Sequence, residues 1–301
     1  MSWEFVIVAG PLGGTTEGPV WDGESILFTH IPESKIYKYD PDSKEVILFR
    51  DCTNSANGMT YDSSGKLYAC EGGARRVVSY SGSMTSVIAE EFEGRKLNVP
   101  NDLAADSVGN IWFTDPFYEG AGGDWSKDIS NKELDHDSVY RVEVIDESEN
   151  KVQRMTFDTS RPNGILFSLD YKTLYVAQSG RLPEEKRELR AYPVLSEGIL
   201  GPYDVLHDFG EHRGVDGMVL NTEGNIVACA GLSESGPGPM IYVFSPEGEI
   251  IETHSTPVDR PTNCTFGGDD LSDLYVTNSE GYLLTAKTNM VGRVNYPDSG
   301  L

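Results

Sequence analysis

At 301 residues the chain has room for one large domain or two small ones, and its 48 Asp and Glu against 24 Lys and Arg give a formal charge of −24. That excess repels phosphate backbones and anionic lipid surfaces, so nucleic acid and membrane surfaces are excluded as expected partners. No run approaches the roughly 18 apolar residues of a membrane span, and the first residues lack a basic segment followed by an apolar signal core; a cytoplasmic location is expected.

In chain order, the apolar stretch Phe5-Val6-Ile7-Val8 comes first and reads as a strand. From Glu17 onward one pattern recurs: a polar residue, a short apolar run, an Asp/Gly-rich corner and a second apolar run. Glu17 is answered by the run 26–28, Asn57 by 67–69 and Asn101 by 111–113. A segment at 117–138 then mixes glycines with large aromatics. Asn163 with 174–176, Asp216 with 226–228 and Asn263 with 274–276 complete the set. Copies recur at about 40 to 50 residues, the period of radial or stacked repeats, with one longer gap that holds the 117–138 segment. Each copy is too short for a helical crossover and is rich in β-branched and aromatic residues, so it reads as a small antiparallel meander. Six meanders in a ring predict an all-β, six-bladed β-propeller with a central channel, formed as a single domain over 1–301. Phe5-Val6-Ile7-Val8 is expected to close the ring beside the strands near Tyr282-Leu283-Leu284 and 291–294. Cys52, Cys70, Cys229 and Cys264 show no zinc-ligand spacing; they are expected to stay reduced, with Cys70 and Cys229 as small core residues.

The first strand of a propeller blade lies innermost, so Glu17, Asn57, Asn101, Asn163, Asp216 and Asn263 are expected to converge at one mouth of the channel. Carboxylates and carboxamides without thiol or imidazole suit a hard cation, Ca²⁺ or, with more bound water, Mg²⁺ or Mn²⁺. Antiparallel pairing returns the end of each second strand to the same edge. His30, Glu71, Asp115, Gln178 and Asn278 are therefore expected around that mouth, where they could meet substrate hydroxyls. The 117–138 segment leaves the end of a second strand, so Tyr118 and its neighbours are expected there too, as a lid or a substrate wall. No G-x-S-x-G elbow, histidine triad or phosphate-binding loop is present.

The segments Glu17-Gly18-Pro19-Val20-Trp21, Asn57-Gly58-Met59, Val99-Pro100-Asn101-Asp102-Leu103, Phe113-Thr114-Asp115-Pro116, Arg161-Pro162-Asn163-Gly164-Ile165, Val215-Asp216-Gly217-Met218 and Pro261-Thr262-Asn263-Cys264 carry a resemblance that covers nearly the whole chain in order. The chain resembles the SMP-30/gluconolactonase/luciferin-regenerating enzyme-like family, and most closely its bacterial gluconolactonase-type members. The resemblance implies a lactonase with Glu17, Asn163 and Asp216 as metal ligands and Asn101 as a further ligand or a substrate contact. It also implies that Asp216 acts as base. The implied cofactor is one divalent ion, Ca²⁺ first, with Mg²⁺, Mn²⁺ or Zn²⁺ as alternatives, and the implied partner is a small-molecule lactone taken by a monomer or dimer. Val99 stands where some animal members carry a substrate-binding arginine, so their sugar preference does not carry over. On this reading Asp216 takes the proton of the attacking water, and Asn101, Asp115, Glu71, Tyr118, Gln178 and His30 are the candidate substrate contacts. A diisopropyl-fluorophosphatase-like phosphotriesterase and a non-catalytic, metal-stabilised binding propeller remain as alternatives. The polar mouth favours a hydroxylated substrate, and a scaffold would be expected to lack the Asp216 carboxylate.

Overall fold

A computed structural model describes residues 2–144 and 150–296. Six four-stranded antiparallel sheets follow one another along the chain. Their inner strands are Thr16–Trp21, Ala56–Tyr61, Leu103–Ala105, Pro162–Phe167, Val215–Leu220 and Pro261–Gly267. Each inner strand touches the next, and the last touches the first, so the chain closes into a six-bladed β-propeller. No helix among the described residues is long and apolar enough to cross a membrane.

The second strands explain why the apolar runs are continuous rather than alternating. Each lies between two neighbouring blades, so successive side chains enter opposite seams and both are buried. In the fifth blade Ile226, Ala228 and Ala230 pack toward the fourth, while Val227 and Cys229 pack toward the sixth. The core is accordingly six clusters, one in each seam, and full burial of one of their large apolar side chains is worth about 1.5–3 kcal/mol. Cys70, Cys229 and Cys264 belong to these seams, Cys52 is exposed, and all four are free thiols.

Val6–Ala9 pairs antiparallel with Leu283–Lys287 as the outermost strand of the sixth blade, so the two ends of the repeat close in one sheet. The expectation that residues 291–294 would also join this sheet is overturned. After Leu283–Lys287 the chain turns beneath the ring: the Arg293 amide donates to Leu220 O at 2.9 Å, and Asn295 Nδ2 donates to Tyr61 O at 3.3 Å. Tyr296 rests 5.5 Å from the Tyr61 ring and against the corner glycine Gly65. The tail thus crosses from the fifth blade to the second over the corner end of the inner hairpins.

Candidate metal centre

At the start of five of the six inner strands, the pairing with the second strand slips; the third blade pairs without a shift. The register shifts between Glu17 and Val20, Ala56 and Met59, Pro162 and Ile165, Val215 and Met218, and Pro261 and Cys264. A slip of this kind sends two successive residues off the regular alternation. In the second, fourth, fifth and sixth blades the first of the two lines the cavity at the mouth, as does Glu17 just ahead of the slip in the first.

This register corrects one member of the predicted ring. Thr262, not Asn263, is the counterpart of Glu17, Asn57, Asn101, Asn163 and Asp216. All six of these residues line a single cavity of about 400 Å³. Asn263 occupies the following position, where four blades carry Gly18, Gly58, Gly164 and Gly217 and the third carries Asp102. A Cβ added to Gly164 would lie 2.3 Å from Asp216 O, and one added to Gly58 2.5 Å from Asp102 Oδ1, so the inner strands crowd the axis until only glycine fits beside Asp102 and Asn263.

Glu17 is 5% exposed and accepts the Gly18 amide at 2.7 Å on Oε2. Its proton affinity is held well above that of an ordinary carboxyl by burial, then by Asp216 and by Asp102, with Asn263 opposing. Asp216 is raised too by burial, against the opposition of Arg213, whose Nη2 donates to Asp216 Oδ2 at 2.5 Å. Asp102, beneath them, is pushed up to about 7, chiefly by burial. Asn163 Nδ2 donates to the Tyr118 hydroxyl at 3.4 Å, and the buried Asn57 Oδ1 has no hydrogen-bond partner.

These residues fit a hard divalent cation. Asp216 raises the proton affinity of Glu17 and Asp102, and crowded negative charge of this kind is what a cation relieves. Among the described residues no three His, Cys, Asp or Glu side chains stand close enough to hold a metal by themselves, so a cation bound by Glu17 and Asp216 would need carboxamides as further ligands. Asn101 and Asn163 are at hand, and Asn57 presents an orphaned oxygen to the same cavity.

The 117–138 segment supplies one wall of the cavity through Tyr118, Gly120, Ala121 and Gly123. It is pinned at its base: Asp137 accepts the Phe117 amide at 3.0 Å and Lys132 Nζ at 2.6 Å, and Arg75 stacks 4.2 Å over Trp125.

His30, Glu71, Asp115 and Gln178 do not line the cavity. Each is buried and turned toward the loop that leads into its own blade. His30 Nε2 meets Gly13 O at 2.6 Å, Glu71 Oε2 accepts Asn54 Nδ2 at 2.9 Å, Asp115 Oδ2 accepts the Asn98 amide at 2.8 Å, and Gln178 Nε2 donates to Ser160 Oγ at 2.5 Å. Glu71 also receives Arg76 Nε at 2.7 Å and the Tyr80 hydroxyl at 2.8 Å. All four stand at the ends of second strands, and their polar atoms bond to the loops of their own blades rather than face the cavity. Asp102, Arg213 and Thr262 escaped the sequence reading. Asp102 and Asn263 could have been found as the two departures from glycine after the ring position, and Arg213 as one of three arginines that precede ring residues in the last three blades.

Residues 15–280 match the model of the SMP-30/gluconolactonase/LRE-like region, and the chain belongs to that family of propellers. It is 29% identical to a gluconolactonase from Zymomonas mobilis over 276 residues, 84% of this chain and 73% of that one. The structure of a gluconolactonase from Xanthomonas campestris is 25% identical and superimposes with a TM-score of 0.79 over 95% of this chain and 89% of its own. A calcium-binding protein, regucalcin, from Agrobacterium tumefaciens shares the fold at 20% identity, with a TM-score of 0.75 over 98% of this chain and 96% of the other.

Proposed function

We propose that the protein is a metal-dependent lactonase that opens a sugar lactone to its hydroxy acid. The observation that carries this reading is the ring itself: one oxygen-bearing side chain from each of six blades around a single cavity, with the carboxylates Glu17 and Asp216 both driven above their ordinary proton affinity. The gluconolactonase relatives support the reaction class. Glu17, Asn163 and Asp216 would hold the ion, with Asn101 as a further ligand, and the calcium-binding relative favours Ca²⁺ over Mg²⁺, Mn²⁺ or Zn²⁺.

When bound, a divalent ion polarises the lactone carbonyl and lowers the pKa of water. The chain's own groups supply the rest. Asp216 accepts the proton of the attacking water, and Arg213 fixes the carboxylate by holding Oδ2 so that the other oxygen faces the cavity. The Asn101 amide donates to the carbonyl oxygen as negative charge develops on it. The ring C–O bond then breaks, the proton held on Asp216 passes to the leaving alkoxide, and the open-chain hydroxy acid results. Tyr118 and the glycines beside it screen the reacting end of the substrate from bulk water.

The test is proton release when glucono-δ-lactone and a panel of aldonolactones are added to chelator-stripped protein, with each divalent metal restored in turn. Metal-dependent turnover that falls by on the order of 10²–10⁴-fold in Asp216→Asn is expected. Turnover unaffected by chelation, or unchanged in that variant, would refute the reading.

A further inference from the structure

The chain is strongly acidic, yet one side of the mouth is basic. Arg161, Arg213 and Arg260 precede the ring residues of the fourth, fifth and sixth blades, and Arg181 and Arg187 flank the loop after Thr173–Ser179. A second cavity of about 460 Å³ opens on this side, lined by Arg181, Arg187, Arg213 and Arg260, and it joins the ring cavity at Tyr118, Asn163, Arg181 and Asp216.

Not all of these charges are free. Arg161 is neutralised by Glu185, with Nε 2.8 Å from each carboxylate oxygen, and Arg213 by Asp216. Arg260 Nε stands 3.8 Å from Asp259, and the exposed Glu211 lies on the rim. Arg187 donates only to carbonyl oxygens, those of Glu185, Gly210 and Leu182. Among the described residues no carboxylate forms a close ion pair with Arg181; its charge acts on Asp216 from a distance, and its guanidinium lies 4.2 Å over the Tyr118 ring. Its backbone is held in place: Glu185 Oε2 accepts the amides of Arg181 at 2.6 Å and Leu182 at 3.0 Å, and a Cβ on Gly180 would meet Glu185 Cβ at 2.4 Å. Two guanidinium groups without a close ion pair thus line the cavity that adjoins Asn163 and Asp216, Arg181 across the Tyr118 ring and Arg187 farther along the same wall.

The geometry points to a substrate that carries, besides its lactone, an anionic substituent, a carboxylate or a phosphate, received by Arg181 and Arg187. The inference rests on the lactonase reading of the adjoining ring. Guanidinium forks match both anions in bidentate geometry, and a local basic cleft gathers anions that the acidic body otherwise repels. Tyr118 spans the gap between the two cavities much as a six-carbon sugar spans from its carbonyl to its distal substituent.

The experiment compares hydrolysis of glucono-δ-lactone, 6-phosphoglucono-δ-lactone and a glucarolactone by the metal-loaded chain and by Arg181→Met, Arg187→Met and Arg181→Lys, with thermal melts to certify folding. At low ionic strength kcat/KM is expected to favour a charged lactone by about tenfold or more and to lose that preference with salt. Each Met variant is expected to cut the preference by about tenfold through KM, and Arg181→Lys to restore part of it. Which charged lactone is preferred separates phosphate from carboxylate. Equal use of the neutral lactone, or a preference that survives both Met variants, overturns the inference. If no lactone is hydrolysed the lactonase reading falls by itself, and calorimetric titration of the metal-free chain with inorganic phosphate and with glucarate decides the anion site. Binding that a Met variant weakens about tenfold upholds it, whereas unchanged or absent binding overturns it.

Discussion

His30, Glu71, Asp115 and Gln178 show how a polar residue at a strand end divides its loyalties. Each bonds to a residue 17 or 18 positions earlier, at the entry to its own blade, and so latches the loop that delivers the next ring residue. Their location at the mouth edge was readable from antiparallel pairing. Their direction was not, because a side chain at a loop end can turn toward the channel or toward its own loop with no change in the pattern. Glu71→Ala strands Arg76 and Tyr80 and is expected to cost about 3 kcal/mol in denaturant unfolding while leaving the metal stoichiometry at the wild-type value. An activity loss without a stability loss would instead return Glu71 to the substrate. Asp115 carries a pH signature. Burial holds its proton affinity well above the ordinary carboxyl value of 3.8, Asn98 opposes, and Asp137 adds to the rise. The folded chain therefore binds this proton more tightly than the unfolded chain; the stability it contributes is complete below 3.8 and is lost as pH rises through the folded-state value. Asp115→Asn is expected to be more stable than wild type by on the order of 1 kcal/mol at neutral pH, with the gap closing in acid. Parallel unfolding curves across that range would contradict it.

Among the elements, the second strands were the easiest to read, since burial on both faces turns them into unbroken apolar runs that no solvent-facing strand would show. The starts of the inner strands were harder. Thr262 and Asn263 are both polar and both fall in the slip between Pro261 and Cys264, and only the lining of the cavity, which takes in Thr262, shows which of them stands at the mouth. Glycine carries the signal that polarity lacks, because four of the six positions after the ring residue have no room for a Cβ. Gly164→Ala would press on the Asp216 carbonyl and is expected to destabilise the fold by about 1–3 kcal/mol and to weaken metal binding together with it. Calorimetry of metal titration alongside urea unfolding checks this, and a variant that keeps both values would show that the inner strands can separate without moving Asp216. The same crowding explains why Asp102 and Asn263 meet at the axis: two side chains from opposite blades fill what four glycines leave open.

At the scale of the whole molecule, the ring is held shut by Val6–Ala9 on one side and capped below by the tail. The closing strand was legible as a lone apolar stretch ahead of the first copy. The tail was not, since Val291 and Val294 are as apolar as a strand, and only Gly292, packed so tightly that a Cβ would lie 2.1 Å from Phe266 Cβ, marks them as something else. Removal of residues 291–301 is expected to lower the thermal midpoint by on the order of 5 °C while the metal stoichiometry remains that of the full chain. A scanning calorimeter reads the first and a metal titration the second; loss of both would mean that the tail organises the ring rather than covering it. Asp102 and Asn263 fill the axis beneath the ring cavity, and Val294, Asn295 and Tyr296 line a further small cavity of about 120 Å³ below them. On the lactonase reading, the hydroxy acid would leave by the mouth its lactone entered, and it is expected to compete with the lactone for the ring cavity.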